Sequence, residues 1–223
     1  MTKNVSNENW NTHLAASTRS GGKFITFPTY QTPDGSAITN TTAARSRITL
    51  ENVPVGELES FLEVYRKMGG QYEGKSGTLR INGERVCSPV PLVETGIYPG
   101  FPTDLQAPLM AVLAGIQGVS RIREKIFDDR FGSALQMRKM GAHIEITGNT
   151  AVICGTDTLK GCTTEARDLR GGAALIIAAL GAKGETCIRG TEFISRGYEH
   201  ICEDLEALGC RIWQSSGKGN ERI

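Results

Sequence analysis

At 223 residues the chain has length for one large domain or two small ones, and one is expected. Its 25 basic and 24 acidic side chains leave a formal charge of +1, which excludes bulk attraction to nucleic acid or an anionic membrane, so any ligand must be selected locally. Six cysteines without a C-x-x-C pair, no leader-like segment and no long apolar run predict a reduced, soluble, cytoplasmic protein.

Residues 1–22 are polar and rich in Asn, Ser and Thr, and are expected to form a flexible tail. Residues 23–27 predict a short strand, and residues 30–36, with Pro33-Asp34-Gly35-Ser36, a turn. Residues 47–53 set Ile48, Leu50 and Val53 among polar neighbours, as in a half-buried strand. From Pro54 onward Leu58, Phe61, Leu62, Tyr65 and Met68 recur at helical spacing until Gly69-Gly70 end the run. Residues 71–82 then read as a hairpin bent at Gly74-Lys75-Ser76-Gly77.

Pro99 and Pro102 bar a helix upstream, so the next one is expected to begin at Thr103. Thr103 as N-cap and Gln106 three residues on make a capping box, which leaves Asp104 at the first helical position beside unpaired N–H groups. Pro108 falls too deep in such a helix and predicts a kink or a later start. Residues 119–126 read as a strand, 131–140 as a helix closed by Gly141, and 143–154 as a hairpin about Gly148-Asn149. The order returns after Asp168: an Ala-rich helix over 169–180, a strand over 186–194, a helix over 198–208 closed by Gly209, and a strand over 210–214.

The intervals are nearly constant. Asp104 to Asp168 is 64 residues, Arg130 to Arg196 is 66, and Gly141 to Gly209 is 68, with Gly69 lying 72 before Gly141. A period this long marks one supersecondary unit of helix, strand, helix and hairpin, whose copies stack because none buries its apolar face alone. Residues 23–223 are therefore expected to be one α/β domain of three units, about 23–90, 91–160 and 161–214. Because residues 171–180 are apolar almost all round, the inner helices belong in the interior and the strands outside.

Asp104 and Asp168 open inner helices, Arg130 and Arg196 follow the next strand, and Arg167 and Arg170 flank Asp168. Copies related by rotation would bring these to one end of the domain. Two carboxylates, several guanidiniums and exposed N–H groups would there suit a small polyanion, with a carboxylate as positioned base. The plainer alternatives are that the aspartates only cap helices and that Arg130 and Arg196 pair with Asp128, Asp129 or Glu199. His143 reads as structural, His13 as part of the tail and His200 as solvated; the cysteines read as small core hydrophobes. No metal-ligand spacing and no phosphate-binding Gly-rich loop is present, so neither a metal nor a cofactor is expected.

At Pro99-Gly100-Phe101-Pro102-Thr103-Asp104-Leu105-Gln106, Ile126-Phe127-Asp128-Asp129-Arg130-Phe131, Arg167-Asp168-Leu169-Arg170 and Arg196-Gly197-Tyr198-Glu199, the chain resembles the C-terminal catalytic half of the UDP-N-acetylglucosamine enolpyruvyl transferases. The likeness runs in register over about 95–214 and is looser over 23–82. It implies an inside-out α/β barrel built from three repeats. It also implies transfer of the enolpyruvyl group of phosphoenolpyruvate to the 3-hydroxyl of UDP-N-acetylglucosamine with release of phosphate, a step of peptidoglycan synthesis. By the same resemblance Asp104 is the base for the sugar hydroxyl, Ile126 a nucleotide-sugar contact, and Arg130, Arg170 and Arg196 the clamp on phosphoenolpyruvate. Asp168 is the acidic residue beside the chemistry, Asp104, Asp168 and Arg196 being the catalytic set. The family's other domain brings a Lys, an Arg and a loop Cys, so a complementary domain or partner chain is implied. The chain departs from the family pattern at Pro33-Asp34-Gly35-Ser36, at Asp129 and Ser133 around Arg130, and at Asp204. These departures leave open a non-catalytic, ligand-binding homologue and an acceptor built on another nucleotide.

Overall fold

The computed structural model describes residues 12–17, 24–29, 47–198, 200–207, 210 and 212–214. The clearest sign of repetition lies in how helices end. Helix α1 (Glu59–Lys67) stops at Gly69, where φ is +90°; the Gly69 N–H donates to Arg66 O and the Gly70 N–H to Tyr65 O. Gly141, also at φ +90°, closes the later helix Gly132–Lys139 identically, with bonds from Gly141 to Arg138 O and from Ala142 to Met137 O. The Cys210 N–H donates to Leu205 O in the third unit, the counterpart of the outer bond of each pair. Only a residue tolerant of left-handed backbone reverses the chain so tightly while satisfying the last carbonyls.

The first unit carries an antiparallel sheet in the order β2-β1-β3-β5-β4, from β1 (Thr12–Ser17), β2 (Phe24–Thr29), β3 (Arg47–Glu51), β4 (Gln71–Lys75) and β5 (Thr78–Asn82). Residues 12–17, expected within the tail, instead run between β2 and β3. Backbone pairing on both sides, not apolar content, holds that strand, and composition alone does not register it. The hairpin turns at Ser76 and Gly77, both at positive φ, as a two-residue loop matched to strand twist requires. Leu79 and Ile81 point inward from β5 onto Phe61, Leu62, Tyr65 and Met68 in the continuous apolar core. The turn expected at 30–36 lies outside the described residues.

Units two and three share a β-α-β crossover. In unit two, β6 (Val93–Glu94) leads through α2 (Gln106–Ala114) to a parallel partner β7 (Gly118–Arg123). In unit three, β10 (Thr163–Glu165) leads through α4 (Leu169–Gly181) to a parallel β11 (Cys187–Arg189). The equivalence reaches single bonds: Thr95 N–H donates to Arg123 O at 2.9 Å, and Ala166 N–H to Arg189 O at 2.8 Å. Strand β7 pairs with β9 (Thr150–Gly155), which pairs with β8 (His143–Thr147), in the order β6-β7-β9-β8. Helix α3 (Gly132–Lys139) covers this unit as α1 covers the first.

Helices α2 and α4 pack together at the centre. Every residue of α2 is buried, as are residues 171–178 of α4, so the inner helices lie inside and the sheets outside. Gly155, the last residue of β9, lets that strand run close against the end of α2: a Cβ there would stand 1.8 Å from Ile116 O. The third unit adds α5 (Thr191–Ser195) and α6 (Ile201–Ala207) around a smaller cluster of Ala166, Ile176, Ile194 and Leu205.

Several expectations are corrected. The capping box does not form: Thr103–Leu105 is a 3-10 turn whose N-cap is Pro102, the Thr103 hydroxyl bonds elsewhere, and Gln106 Nε2 is buried without a hydrogen-bond partner among the described residues. α2 therefore starts late, at Gln106, which puts Pro108 in the first turn, where its missing N–H leaves no helical bond unmade. The strand expected to reach 194 ends at Arg189, because Gly190 turns the chain at φ +75° into α5. Residues 210 and 212–214 form no strand; Cys210 and Ile212 reach the smaller cluster without a ladder. Of the cysteines expected to be core hydrophobes, Cys87, Cys154 and Cys187 are exposed, Cys202 is half-buried, and half-buried Cys162 and Cys210 pack against the larger and the smaller apolar cluster. Strand alternation explains Cys154, which faces out where Ile153 faces in. No described helix is long and apolar enough to cross a membrane.

Candidate functional site

Two inner helices begin at the same end of the molecule, and side chains from units two and three meet there. Arg170, in the first turn of α4, grips Asp104 with a fork: Nε donates to Oδ1 at 3.0 Å and Nη2 to Oδ2 at 2.7 Å. Arg130 approaches the same carboxylate, its Nη2 lying 3.4 Å from Oδ1. Its guanidinium also lies over the ring of half-exposed Phe127, 4.8 Å from the centroid. Two guanidiniums, 66 and 26 residues distant in sequence, thus converge on one aspartate. All three side chains keep solvent access, at 47% for Asp104, 40% for Arg170 and 30% for Arg130, so a solute can reach the cluster.

Asp168 caps α4. Its Oδ1 accepts the Gly171 N–H at 2.7 Å, and a Cβ on residue 171 would crowd the same carboxylate at 2.7 Å, so glycine follows from the cap. Asp168 sits two residues before Arg170 and fixes the turn that aims it. Arg196, at the C-terminal edge of α5, is exposed; its successor Gly197 lies against the Leu169 side chain, which holds the Arg196 turn beside the start of α4. Ile126 lies partly exposed on the loop between β7 and Arg130. The structure therefore joins Asp104, Arg130 and Arg170 directly and sets Asp168, Arg196 and Ile126 on the adjoining turns. Among the described residues, Asp128 and Asp129 form no ion pair with Arg130 or Arg196, and Glu199 lies outside the described residues. No group of three or more His, Cys, Asp or Glu side chains among the described residues could hold a metal ion.

The sequence reading missed Glu124. It follows β7 directly and is 2% exposed. Its Oε1 accepts the Thr95 hydroxyl and the Ile126 N–H, both at 2.8 Å, and the Phe127 N–H at 3.2 Å; its Oε2 accepts the Thr103 hydroxyl at 2.8 Å. Burial pushes its carboxyl up, but the Ile126 N–H, the two hydroxyls and the Phe127 N–H outweigh burial and hold it below the usual glutamate range. These bonds also end β7 short of the expected residue 126, because the N–H groups of Ile126 and Phe127 turn back to the carboxylate. The one available signal was a threonine on each side of Pro99 and Pro102, both needing an acceptor.

A hollow at the opposite ends of α2 and α4 is lined by Val112, Ile116, Ile177 and Ala178 together with Thr156 and Asp157, and it gathers no guanidinium. The charged rim at Asp104 is the candidate site.

Comparison with known proteins agrees in family and fold. The model of the family EPSP synthase (3-phosphoshikimate 1-carboxyvinyltransferase) matches residues 36–205. A UDP-N-acetylglucosamine 1-carboxyvinyltransferase of Desulfofundulus thermocisternus is 39% identical over 81% of this chain and 74% of its own length. UDP-N-acetylglucosamine 1-carboxyvinyltransferase 2 of Clostridium tetani is 39% identical over 81% of this chain but 43% of its own length. The Azorhizobium caulinodans UDP-N-acetylglucosamine 1-carboxyvinyltransferase is 42% identical over 76% of this chain and 40% of its own length, so the chain spans less than half of these last two relatives. Among solved structures, the enolpyruvyl transferase NikO of Streptomyces tendae superposes with a TM-score of 0.68 over 87% of this chain and 50% of that one, at 22% identity, a likeness of fold.

Proposed function

The chain belongs to the EPSP synthase (3-phosphoshikimate 1-carboxyvinyltransferase) family, whose members are enolpyruvyl transferases, and we propose that it supplies the Asp104 side of an active site joining phosphoenolpyruvate to UDP-N-acetylglucosamine. The observation that carries this is the grip of Arg130 and Arg170, from two different units, on one solvent-reachable carboxylate. A fork matched to a carboxylate is equally matched to the carboxylate and phosphate of phosphoenolpyruvate. The substrate anion takes the guanidiniums, and Asp104, released from them, faces the acceptor hydroxyl as its base.

In this reading Asp104 takes the proton of the sugar 3-hydroxyl while the sugar oxygen bonds to C2 of the enolpyruvyl group and the C2–C3 electron pair takes a proton at C3 from an acid of the complementary half. Expulsion of phosphate and loss of a C3 proton then restore the double bond. Arg130, Arg170 and Arg196 hold the charge that moves between phosphate and carboxylate, which is where fixed cations lower a barrier most. Asp168 orients Arg170 through the start of α4, and Ile126 packs against the nucleotide sugar. The remaining groups around phosphoenolpyruvate come from a complementary domain or partner chain. The three units, the first of them including β1 at residues 12–17, act as one domain in the inside-out barrel arrangement, and the reaction serves peptidoglycan precursor synthesis in the cytoplasm.

The test is phosphate release from phosphoenolpyruvate with UDP-N-acetylglucosamine, using the chain alone and with cell extract. Release that requires extract supports a complementing partner. Ligand binding without release under either condition overturns the enzyme reading in favour of a binding homologue, and release only with a different nucleotide sugar overturns the acceptor. In the complemented enzyme Asp104→Asn is expected to lower turnover by about 100-fold or more, the scale of a positioned base, while the chain stays folded. Normal turnover would reduce Asp104 to a structural ion-pair partner.

A further inference from the structure

We propose that Glu124 is the positioning residue that sets the base-bearing turn and the clamp-bearing loop at their working separation. The inference rests on the functional reading above, and its starting point is that this carboxylate is an expensive object to bury. It is 2% exposed and, among the described residues, has no cation against it. An apolar side chain of similar volume would avoid that desolvation cost if only packing were needed.

What the carboxylate does is tie the Thr103 turn, the Ile126–Phe127 loop and Thr95 to one another through its two oxygens. Through Oε2 it holds Thr103, the residue before Asp104. Through Oε1 it holds the N–H groups of Ile126 and Phe127, and Phe127 is the ring on which the Arg130 guanidinium lies. Thr95 completes the set: its hydroxyl donates to Oε1 and accepts the Lys125 N–H at 2.8 Å, while its own N–H donates to Arg123 O. The two oxygens of one rigid group thus fix the distance between the start of Asp104 and the start of the Arg130 loop. Releasing Glu124 frees both ends at once, and displacement of a reacting group by about 1 Å costs as much as 100-fold.

Hydrogen bonding, not charge, performs this task, so the amide isostere separates the possibilities. In Glu124→Gln the carbonyl oxygen still accepts from Thr95, Ile126 and Phe127, and the amide N–H donates to Thr103 Oγ1 once that hydroxyl rotates. Phosphoenolpyruvate binding to the full chain, followed by phosphorus NMR at a temperature where each variant is folded, is expected to weaken about 10-fold or more in Glu124→Ala. Glu124→Gln is expected to restore most of that loss. Unchanged affinity in Glu124→Ala overturns the proposal, and a Glu124→Gln variant as weak as Glu124→Ala overturns the hydrogen-bonding account. Should Glu124→Ala not fold, Thr103→Val cuts only the bond on the Asp104 side and is read the same way. If the unaltered chain alone binds no phosphoenolpyruvate, binding requires the complementary half, and the functional reading is decided separately by phosphate release with extract. The positioning role is then read from the Arg130 and Arg170 Nε–H resonances, which shift in Glu124→Ala if it holds and stay in place if it does not.

Discussion

Replacing Arg170 with lysine separates what the rim does for ligands from what it does for the fold. The substitution keeps the positive charge but exchanges a planar fork for a single compact donor, so the paired bonds to Asp104 at 3.0 and 2.7 Å cannot both survive. Both partners are close to half exposed, which places the pair among solvent-exposed ion pairs contributing about 0–1 kcal/mol to stability. In a chain of this length that moves Tm by less than about 4 °C. Recognition of an anion is more demanding: a hydrogen bond to a charged group contributes about 1.5–3 kcal/mol, so losing one tine of the fork should weaken phosphoenolpyruvate binding by about 10- to 150-fold. Scanning calorimetry and titration with phosphoenolpyruvate on the same Arg170→Lys sample measure both. Affinity within twofold of the unaltered chain would refute the clamp, and a fall in Tm beyond about 8 °C would show that Arg170 is a strut of the fold instead.

Gly155→Ala should be severely destabilising, by about 3 kcal/mol or more, because its Cβ would stand 1.8 Å from Ile116 O and 2.4 Å from Leu113 O. Gly56→Ala, with no atom within 4 Å of the new carbon, should stay within about 1 kcal/mol in the same thermal melts, a contrast that tests the packing at the end of α2. Burial pushes the Asp204 carboxyl up to about 6 from 3.8, with His200 opposing and Glu203 adding to the rise. Between those values the folded chain binds more protons than the unfolded one, so its stability should fall as pH rises through that window. Asp204→Asn should flatten this slope in urea unfolding followed from pH 4 to 7; an unchanged slope would place Asp204 in water.

The features legible in the sequence were those set by local backbone chemistry or by period. Gly69 and Gly141 closed their helices as expected, Asp168 capped α4 as its position before an apolar run implied, and the 64-residue spacing brought Asp104 within reach of Arg170. Thr103 went astray because a hydroxyl chooses among acceptors, and the capping pattern cannot register a buried carboxylate 21 residues downstream. Glu124 itself, next to Arg123 and Lys125, looks like one more solvated charge at a strand end; only the folded chain shows its two charged neighbours turned outward and Glu124 turned in. Thr12–Ser17 was hidden for a different reason, since pairing to β2 and β3 is a property of strands distant in sequence and leaves no periodic trace in its own residues.

The nine residues of α2, from Gln106 to Ala114, are buried on every side. A saturation library across this helix should therefore yield a solid block of intolerance, without the stripe of permissive positions that an amphipathic helix gives. Diversification within such a molecule is channelled into surface turns such as that at Ile97 and Tyr98, where new side chains can be sampled without disturbing the axle on which the units are mounted.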